Sequence, residues 1–465
     1  MGGLFSALGT SSIALEAFTQ ALGVSQQNIA NASTPGYAAQ RAAIQPIGDS
    51  GISAGADLVE LSSTGSAHAD ALVQSANSRA SASQNAVTQL TSLNQVFDIT
   101  GSTGILAALQ NFGAAFASLG VSPNDSALRS NAVNAAAGVA SAFQQTAASL
   151  ESLGTSVKTQ IGSTADEINA LTSKIAGLNR QATVSAQGSA ATNASLRSAL
   201  DQLSSLVDIN VSTSPDGTVS VLAGGQLPLV IGGNSYALSV NPQASEGAQV
   251  ASSAGGHSPT SFSGQLGALL DTVNNVLNPI LGTATSAGSL NTLAAGFASR
   301  VNTLLGSGTT ASGTAGPALF SYDTNNPSDA AASLSVVASF SPDQLALASG
   351  GASGESNGIA NQLAALPASA DPADLIDGKS AQDCFSSIAA GVGGQLSSAT
   401  AQSAEAQTAL TAAQVARTQR SGVSLDQEAI NVTNLQNAYA ANARLVAILD
   451  QLSADAVNLL TPTAA

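Results

Sequence analysis

Apolar and small residues recur every seven positions at both ends of the chain. Leu8, Leu15, Leu22 and Ile29 form one series, with Leu4, Ser11, Phe18 and Ser25 in the alternate places. Near the other end Leu435, Asn442, Leu449 and Ala456 repeat in the same way, with Ala438, Leu445, Leu452 and Leu459 between them. A stripe of this period marks a helix that packs lengthwise on another helix. The pattern predicts helices over residues 4–33 and 425–460 that pair with one another, the intervening chain being looped out from the pair. The plainer alternative is two unrelated surface helices docked on a globular core.

Between the ends the period stays helical for long stretches. The first helix should stop at Ser33-Thr34-Pro35-Gly36, because proline disfavours helical geometry in the residue before it. Residues 37–61 read as extended or irregular. Residues 67–119 read as helix, with Gly101 and Gly104 separating two halves. Ser122-Pro123-Asn124-Asp125 opens a further long helix, with Ser122 as the expected N-cap and Pro123 in the first turn. That helix carries Phe143, Leu150, Val157, Leu171 and Leu178 on one heptad position and Ile161, Ile168 and Ile175 on another. A shorter helix is expected over 194–206.

The period then drops to two. Val207, Ile209 and Val211 alternate with polar residues, Ser214-Pro215-Asp216-Gly217 makes a turn, and Val219, Val221, Leu229, Ile231, Leu238 and Val240 continue the alternation. This is a small antiparallel unit, followed by a Ser/Gly/Ala-rich loop over 241–262. Helices return from Gly264 to Leu305 with an expected break at Pro279. Residues 306–385 are mixed, with a strand hinted at Val336–Phe340, and helix resumes over 385–420. Gly422 permits a sharp turn into the last helix, Ser424 with Gln427 suits a capping box, and Asp426 and Glu428 fall in its positive first turn.

The pattern therefore predicts a mainly α protein: a long-helix bundle with coiled-coil-like paired N- and C-terminal helices, nested discontinuous domains and a small antiparallel β insert. The expected boundaries are 1–36 with 422–465 for a terminal helical core that is disordered in the monomer, 37–206 with 262–421 for a helical bundle, and 207–261 for the β insert.

Composition changes this picture in one way. Of 465 residues, 44% are hydrophobic but only 3% aromatic and 9% charged. Charged residues ordinarily make up about a quarter of a globular chain. The surface must be largely Ser, Thr, Asn and Gln, which suits subunits packed against copies of themselves. The net charge of −16 argues against nucleic acid and against anionic membranes. No apolar run reads as a bilayer span, and the absence of Lys and Arg before Arg41 leaves no n-region for a secretory signal. Met1-Gly2-Gly3-Leu4-Phe5-Ser6 fits the short myristoylation pattern, but the helical stripe running out of it makes helix the better reading. One cysteine, Cys384, and two histidines, His68 and His257, cannot assemble a His/Cys metal cluster. Cys384 reads as a small buried hydrophobe. No catalytic, cofactor or metal residues are singled out.

Two segments carry a resemblance. Asn28-Ile29-Ala30-Asn31-Ala32-Ser33-Thr34-Pro35-Gly36-Tyr37 resembles the N-terminal signature of bacterial flagellar rod, hook and hook-associated proteins, and Asn437-Ala438-Tyr439-Ala440-Ala441-Asn442-Ala443-Arg444 resembles their C-terminal one. Gly422-Val423-Ser424-Leu425-Asp426 is similar to the start of the last helix in the hook–filament junction members. Leu178-Asn179-Arg180-Gln181, Gly264–Asp271 and Gly316-Pro317-Ala318-Leu319-Phe320 agree, so the resemblance spans nearly the whole chain. One departure is Ala199-Leu200-Asp201-Gln202-Leu203, where the family often carries an Asp-Gln-Arg-Asp-like segment; the middle insert is also short.

The resemblance implies a structural subunit of an axial tube, an adaptor ring between hook and filament, exported unfolded through the flagellar type III apparatus without a cleaved signal. Its implied partners are copies of itself in a ring, the hook protein, a second hook-associated junction protein, and a cytosolic export chaperone on the C-terminal segment; no cofactor is implied. The expected assembly seam is Leu8, Leu15, Phe18, Leu22, Ile29, Leu435, Leu445, Leu449, Leu452 and Leu459. Gly422, Ser424, Asp426 and Gln427 form the start of the last helix. The alternatives are a hook or rod subunit and, in another class, a secreted enzyme or adhesin carried on a flagellar-type tail.

Overall fold

In the computed structural model the described residues are 2–46, 56–97, 103–184, 189–241, 248–253, 262–349 and 356–460. They are mostly helical and divide into two compact units. One comprises residues 1–77, 170–236 and 407–465, the other residues 78–169 and 237–406. The chain ends and the four-stranded β insert, expected as separate domains, thus fall in one unit.

The first unit begins with α1 (Gly2–Ala30). The chain turns at Pro35-Gly36, where Gly36 has φ +76° and a Cβ there would lie 2.4 Å from the Ala194 carbonyl oxygen. Both the backbone region and the close approach demand glycine. An antiparallel hairpin follows, β1 (Gln40–Pro46) with β2 (Ala56–Ser63), bulged between Ala43 and Ile44. Helix α2 (Ala67–Val96) starts in this unit. Helices α3 (Gly104–Val121) and most of α4 (Ser126–Val184) belong to the second unit, and the end of α4 returns to the first. After α5 (Ala190–Leu206) the chain forms a sheet in the order β3 (Ile209–Thr213), β4 (Val219–Ala223), β5 (Leu227–Ile231) and β6 (Asn234–Ser235). Val219, Val221 and Ala223 turn inward as the alternation requires. Asn179, buried at the end of α4, pins that helix to the sheet. Its amide donates to the Val219 and Gly232 carbonyls and accepts from the Val219 N–H.

The start of α4 differs from expectation. The N-cap is Asp125, whose carboxylate accepts from the N–H groups of Ala127 and Leu128 at 2.8 and 3.2 Å. Asp outcompetes Ser122 because its charged oxygen also meets the positive helix end.

In the second unit β7 (Leu238–Asn241) pairs with β8 (Gln249–Ser252), a strand within the stretch expected to be loop. Residues 254–261, also expected to be loop, lie outside the described residues. Asn274 grips Ala248 through both its N–H and its carbonyl, which fixes the strand where local propensity is weak. Helix α6 (Gly264–Asp271) continues through a π turn over Thr272–Leu277 into α7 (Asn278–Leu281). Pro279 therefore does not break the helix: the wider π turn accommodates a residue that has no N–H to give. The break falls at Gly282, with φ +91°. Helix α8 (Gly288–Ser307) runs up the middle of this unit. A strand β9 (Gly308–Thr309), a strand β10 (Phe320–Ser321), a short helix α9 (Ala330–Ser333) and a strand β11 (Ser335–Val336) follow, then a strand β12 (Ala348–Ser349) that pairs with β9. The strand hinted at Val336–Phe340 is only the two-residue β11, paired with β10. Helix α10 (Gly358–Ala365) packs on α3, and α11 (Ala381–Ser421) carries the chain back to the first unit.

The core of the second unit gathers around Phe112, Phe116, Phe143 and Phe297. Phe112 and Phe297 meet edge to face with centroids 5.2 Å apart, a geometry that the ring quadrupoles favour. Helix α3 is long and apolar enough to cross a membrane by composition, but its Ile105, Leu109, Phe112, Phe116 and Leu119 are buried in this core. Cys384 is buried here too; burial pushes its thiol pKa up.

Gly36→Ala should destabilise the first unit by roughly 1–3 kcal/mol, from backbone strain and the clash with Ala194. Gly138 lies within α4 with nothing within 4 Å of a built Cβ, and Gly138→Ala should instead stabilise by about 0.5–1 kcal/mol. Urea unfolding of the two variants beside the parent chain checks both signs.

Candidate functional site

The N-terminal signature meets the start of the last helix. Asn28, 1% exposed, stands at the end of α1. Its amide nitrogen donates to the Gln40 carbonyl and to Glu428 Oε1, each at 2.9 Å. Its amide oxygen accepts from the Gln40 N–H and the Tyr37 hydroxyl, also at 2.9 Å. All the hydrogen-bonding positions of one amide are thereby used. Glu428 comes from α12 (Leu425–Leu460). Its carboxylate is buried in the positive first turn of that helix, which offsets part of the cost of burying it. The loops close over this knot: the Ala39 N–H donates to the Ser421 carbonyl, and Thr64 donates to the Ala39 carbonyl from both its backbone and its hydroxyl.

A second polar cluster lies in the same unit. Arg197 Nε pairs with Asp70 at 3.0 Å, and Arg417 pairs with Asp201 at 2.8 Å. Burial pushes the Asp201 carboxyl up, against the opposing pull of Arg417. Asp201 belongs to the segment that departs from the flagellar pattern, and its ion pair was not legible in the sequence. The order of the residues names neither Arg417 nor Asp70 as its neighbour.

Helices α1 and α12 run antiparallel, since Asn28 meets Glu428 while Asn442 donates to the Ser11 carbonyl at 3.0 Å. The face α1 buries is small: Ser11, Ala14, Ala17, Ala21, Ser25 and Asn28. Leu8, Leu15, Phe18 and Leu22 flank it half-buried, and Ile29 is exposed. On α12 the side facing α1 carries Leu435, Ala438, Asn442, Val446, Leu449, Ser453 and Ala456, half-buried. Leu445 and Leu452 stand off it, 47% and 48% exposed. A straight α-helix has 3.6 residues per turn, so a strict seven-residue stripe drifts sideways by about 20° per heptad and Val446 and Ser453 take over the inner positions. The side chains of Leu4 and Leu459 lie outside the described residues.

At the start of α12 the expected capping box is half formed. The Gln427 N–H approaches Ser424 Oγ at 3.4 Å, while the Gln427 side chain turns outward to Asn431. Asp426 is exposed, and a Cβ on Gly422 would lie 2.4 Å from the Thr418 carbonyl oxygen. Beside the knot an open cleft of about 650 Å3 separates α1, β1 and the first turns of α12. Its charged lining groups are Arg41, Arg420 and Glu428. Among the described residues no three His, Cys, Asp or Glu side chains stand close enough to hold a metal. His68 is exposed, and His257 lies outside the described residues.

A chain whose two ends are knotted together, with everything else as an insertion between them, has the build of an axial structural subunit. Comparison with known proteins agrees. The family described as the flagellar hook-associated protein FlgK helical domain matches residues 90–320. Flagellar hook-associated protein 1 of Bacillus subtilis (strain 168) is 26% identical over 509 aligned residues, covering 98% of this chain and 99% of that protein. The solved structure of the flagellar hook junction protein FlgK from Burkholderia pseudomallei superposes with a TM-score of 0.63 at 17% identity, over 76% of this chain and all of that one. Over nearly its whole length the chain is similar to the hook-associated proteins of the bacterial flagellum, structural components that join hook to filament.

The knot has a pH signature. Burial, and then the charge of Glu428, raise the Tyr37 pKa. A phenol whose folded pKa exceeds its unfolded value of about 10 adds stability that is present below that value and lost as pH climbs through the folded one. Amide exchange at residues 28–40 should therefore accelerate above pH about 10, beyond the intrinsic base catalysis seen in an unfolded reference, and Tyr37→Phe should flatten that response. Asn28→Asp, which sets a second carboxylate against Glu428, should destabilise the unit by roughly 1–3 kcal/mol, with partial rescue by Glu428→Gln in thermal melts.

Proposed function

We propose that the chain joins hook to filament as one subunit of a ring, held in place by its paired terminal helices. The observation that carries this reading is the Asn28–Glu428 contact, which brings the N-terminal signature to the start of the last helix. Its neighbours along the axis are the hook protein on one side and a second hook-associated protein on the other. Stacked head-to-tail contacts of this kind are heterologous and need not close along the axis. The chain reaches its extracellular place through the flagellar export route, without a cleaved signal, and a cytosolic chaperone guards its C-terminal segment until then. It acts as a scaffold, in keeping with the structural role of the flagellar proteins it resembles.

The terminal pair orders fully only on assembly. Several features support this. The face α1 buries is mostly Ser and Ala, and Glu428 is the single buried side chain described on α12. Gly9 and Gly23 sit inside α1 with nothing near a built Cβ, each lowering helix stability by about 0.5–1 kcal/mol relative to Ala. So little burial hardly offsets the entropy of ordering two long helices.

Immunogold labelling of isolated flagella tests the location. A single band at the hook–filament boundary is expected, and label along the whole hook would instead indicate a hook subunit. Leu449→Asp tests the seam. It should leave the monomer's melting temperature unchanged yet abolish incorporation at the hook tip, because a carboxylate buried without a partner costs several kcal/mol on the order of a lost core residue. Asn434→Asp, off the seam, should still assemble. A monomer melting several degrees lower with Leu449→Asp would make the pair a preformed core.

A further inference from the structure

Each helix of the terminal pair carries a second apolar strip beside the one facing its partner. On α1 it is Leu8, Leu15 and Leu22, about a quarter turn from Ala14 and Ala21 at 100° per residue. On α12 it is Ile430, Leu445, Ile448 and Leu452, 47–58% exposed and again about a quarter turn from Leu435 and Leu449. The direction of the chain decides where these strips lie. Residue number advances clockwise along α1 and, viewed from the same end, anticlockwise along the antiparallel α12. The α1 strip is displaced toward higher angle from the shared seam and the α12 strip toward lower angle. In an antiparallel pair these displacements put the two strips on opposite sides; in a parallel pair they would share one side.

We propose that neighbouring subunits meet through these unlike faces, the α12 strip of one copy packing on the α1 strip of the next. This rests on the ring reading above and assigns the surfaces that build it. Two opposed apolar strips cannot both lie on one flat lipid surface, and a single foreign partner would cover one and leave the other in water. A second copy covers one strip and a third covers the other, which is the heterologous arrangement that closes into a ring.

The test uses full-length chains with Cys384→Ala, expressed in cells that build flagella. One carries Leu15→Cys, the other Ile448→Cys, and isolated flagella are treated with a long, flexible bis-maleimide. Covalent dimers are expected when the two chains are co-expressed and none from either alone. Dimers from a single variant would mean that like faces meet, and would overturn the proposal. So would the absence of dimers from the mixture, and from the second pair Leu22→Cys with Leu445→Cys, when immunogold shows both chains at the junction. Absence of the parent chain from the junction would count against the ring reading itself, and that label is read separately from the cross-links.

Discussion

The first unit depends on a single saturated amide. Asn28 holds the end of α1, the loop after it and the first turn of α12 through four hydrogen bonds, in a place closed to water. Any one of these groups left unpaired there would cost about as much as the bond is worth in a dry interior, so the knot forms as a set or not at all. Because Asn28 and Glu428 stand 400 residues apart, this contact turns a long chain into one insertion hung from its two ends.

The same device recurs through the molecule. Asn179 pins α4 to the sheet, Asn274 fixes β8, and Asn302 binds Leu319 and Phe320 through both sides of its amide. A chain with 9% charged residues has few ion pairs to offer. Its buried backbone groups are met instead by neutral amides, which carry no Born penalty into the interior. The exterior carries few charged groups for the same compositional reason. Shape and apolar strips then decide which surfaces meet.

A cluster of ion pairs stands where α2, α5 and α11 converge. Asp70, Arg197, Asp201 and Arg417 neutralise one another there, with side chains 14–23% exposed. Such a cluster adds little net stability once desolvation is counted, but it penalises any other register of those helices.

The sequence by itself determined the helical class, the long elements, the turn at Pro35-Gly36 and the pairing of the chain ends. Each rests on local chemistry or on a period long enough to average out exceptions. It also carried both signature segments, since Asn28, Gly36 and Tyr37 are contiguous enough to be seen as a pattern. Tertiary structure decided the rest. Asp125 caps α4 in place of Ser122, and a π turn carries the helix past Pro279. On α1 the contact with α12 runs along alanine and serine while the leucines flank it. Sequence periodicity weights large residues, whereas two helices approach most closely where side chains are small. The antiparallel direction, which sets the outer strips on opposite sides, follows from where Asn28 finds Glu428 and Asn442 finds Ser11. Which residues of the two ends meet, hundreds of positions apart, leaves no trace in the local pattern.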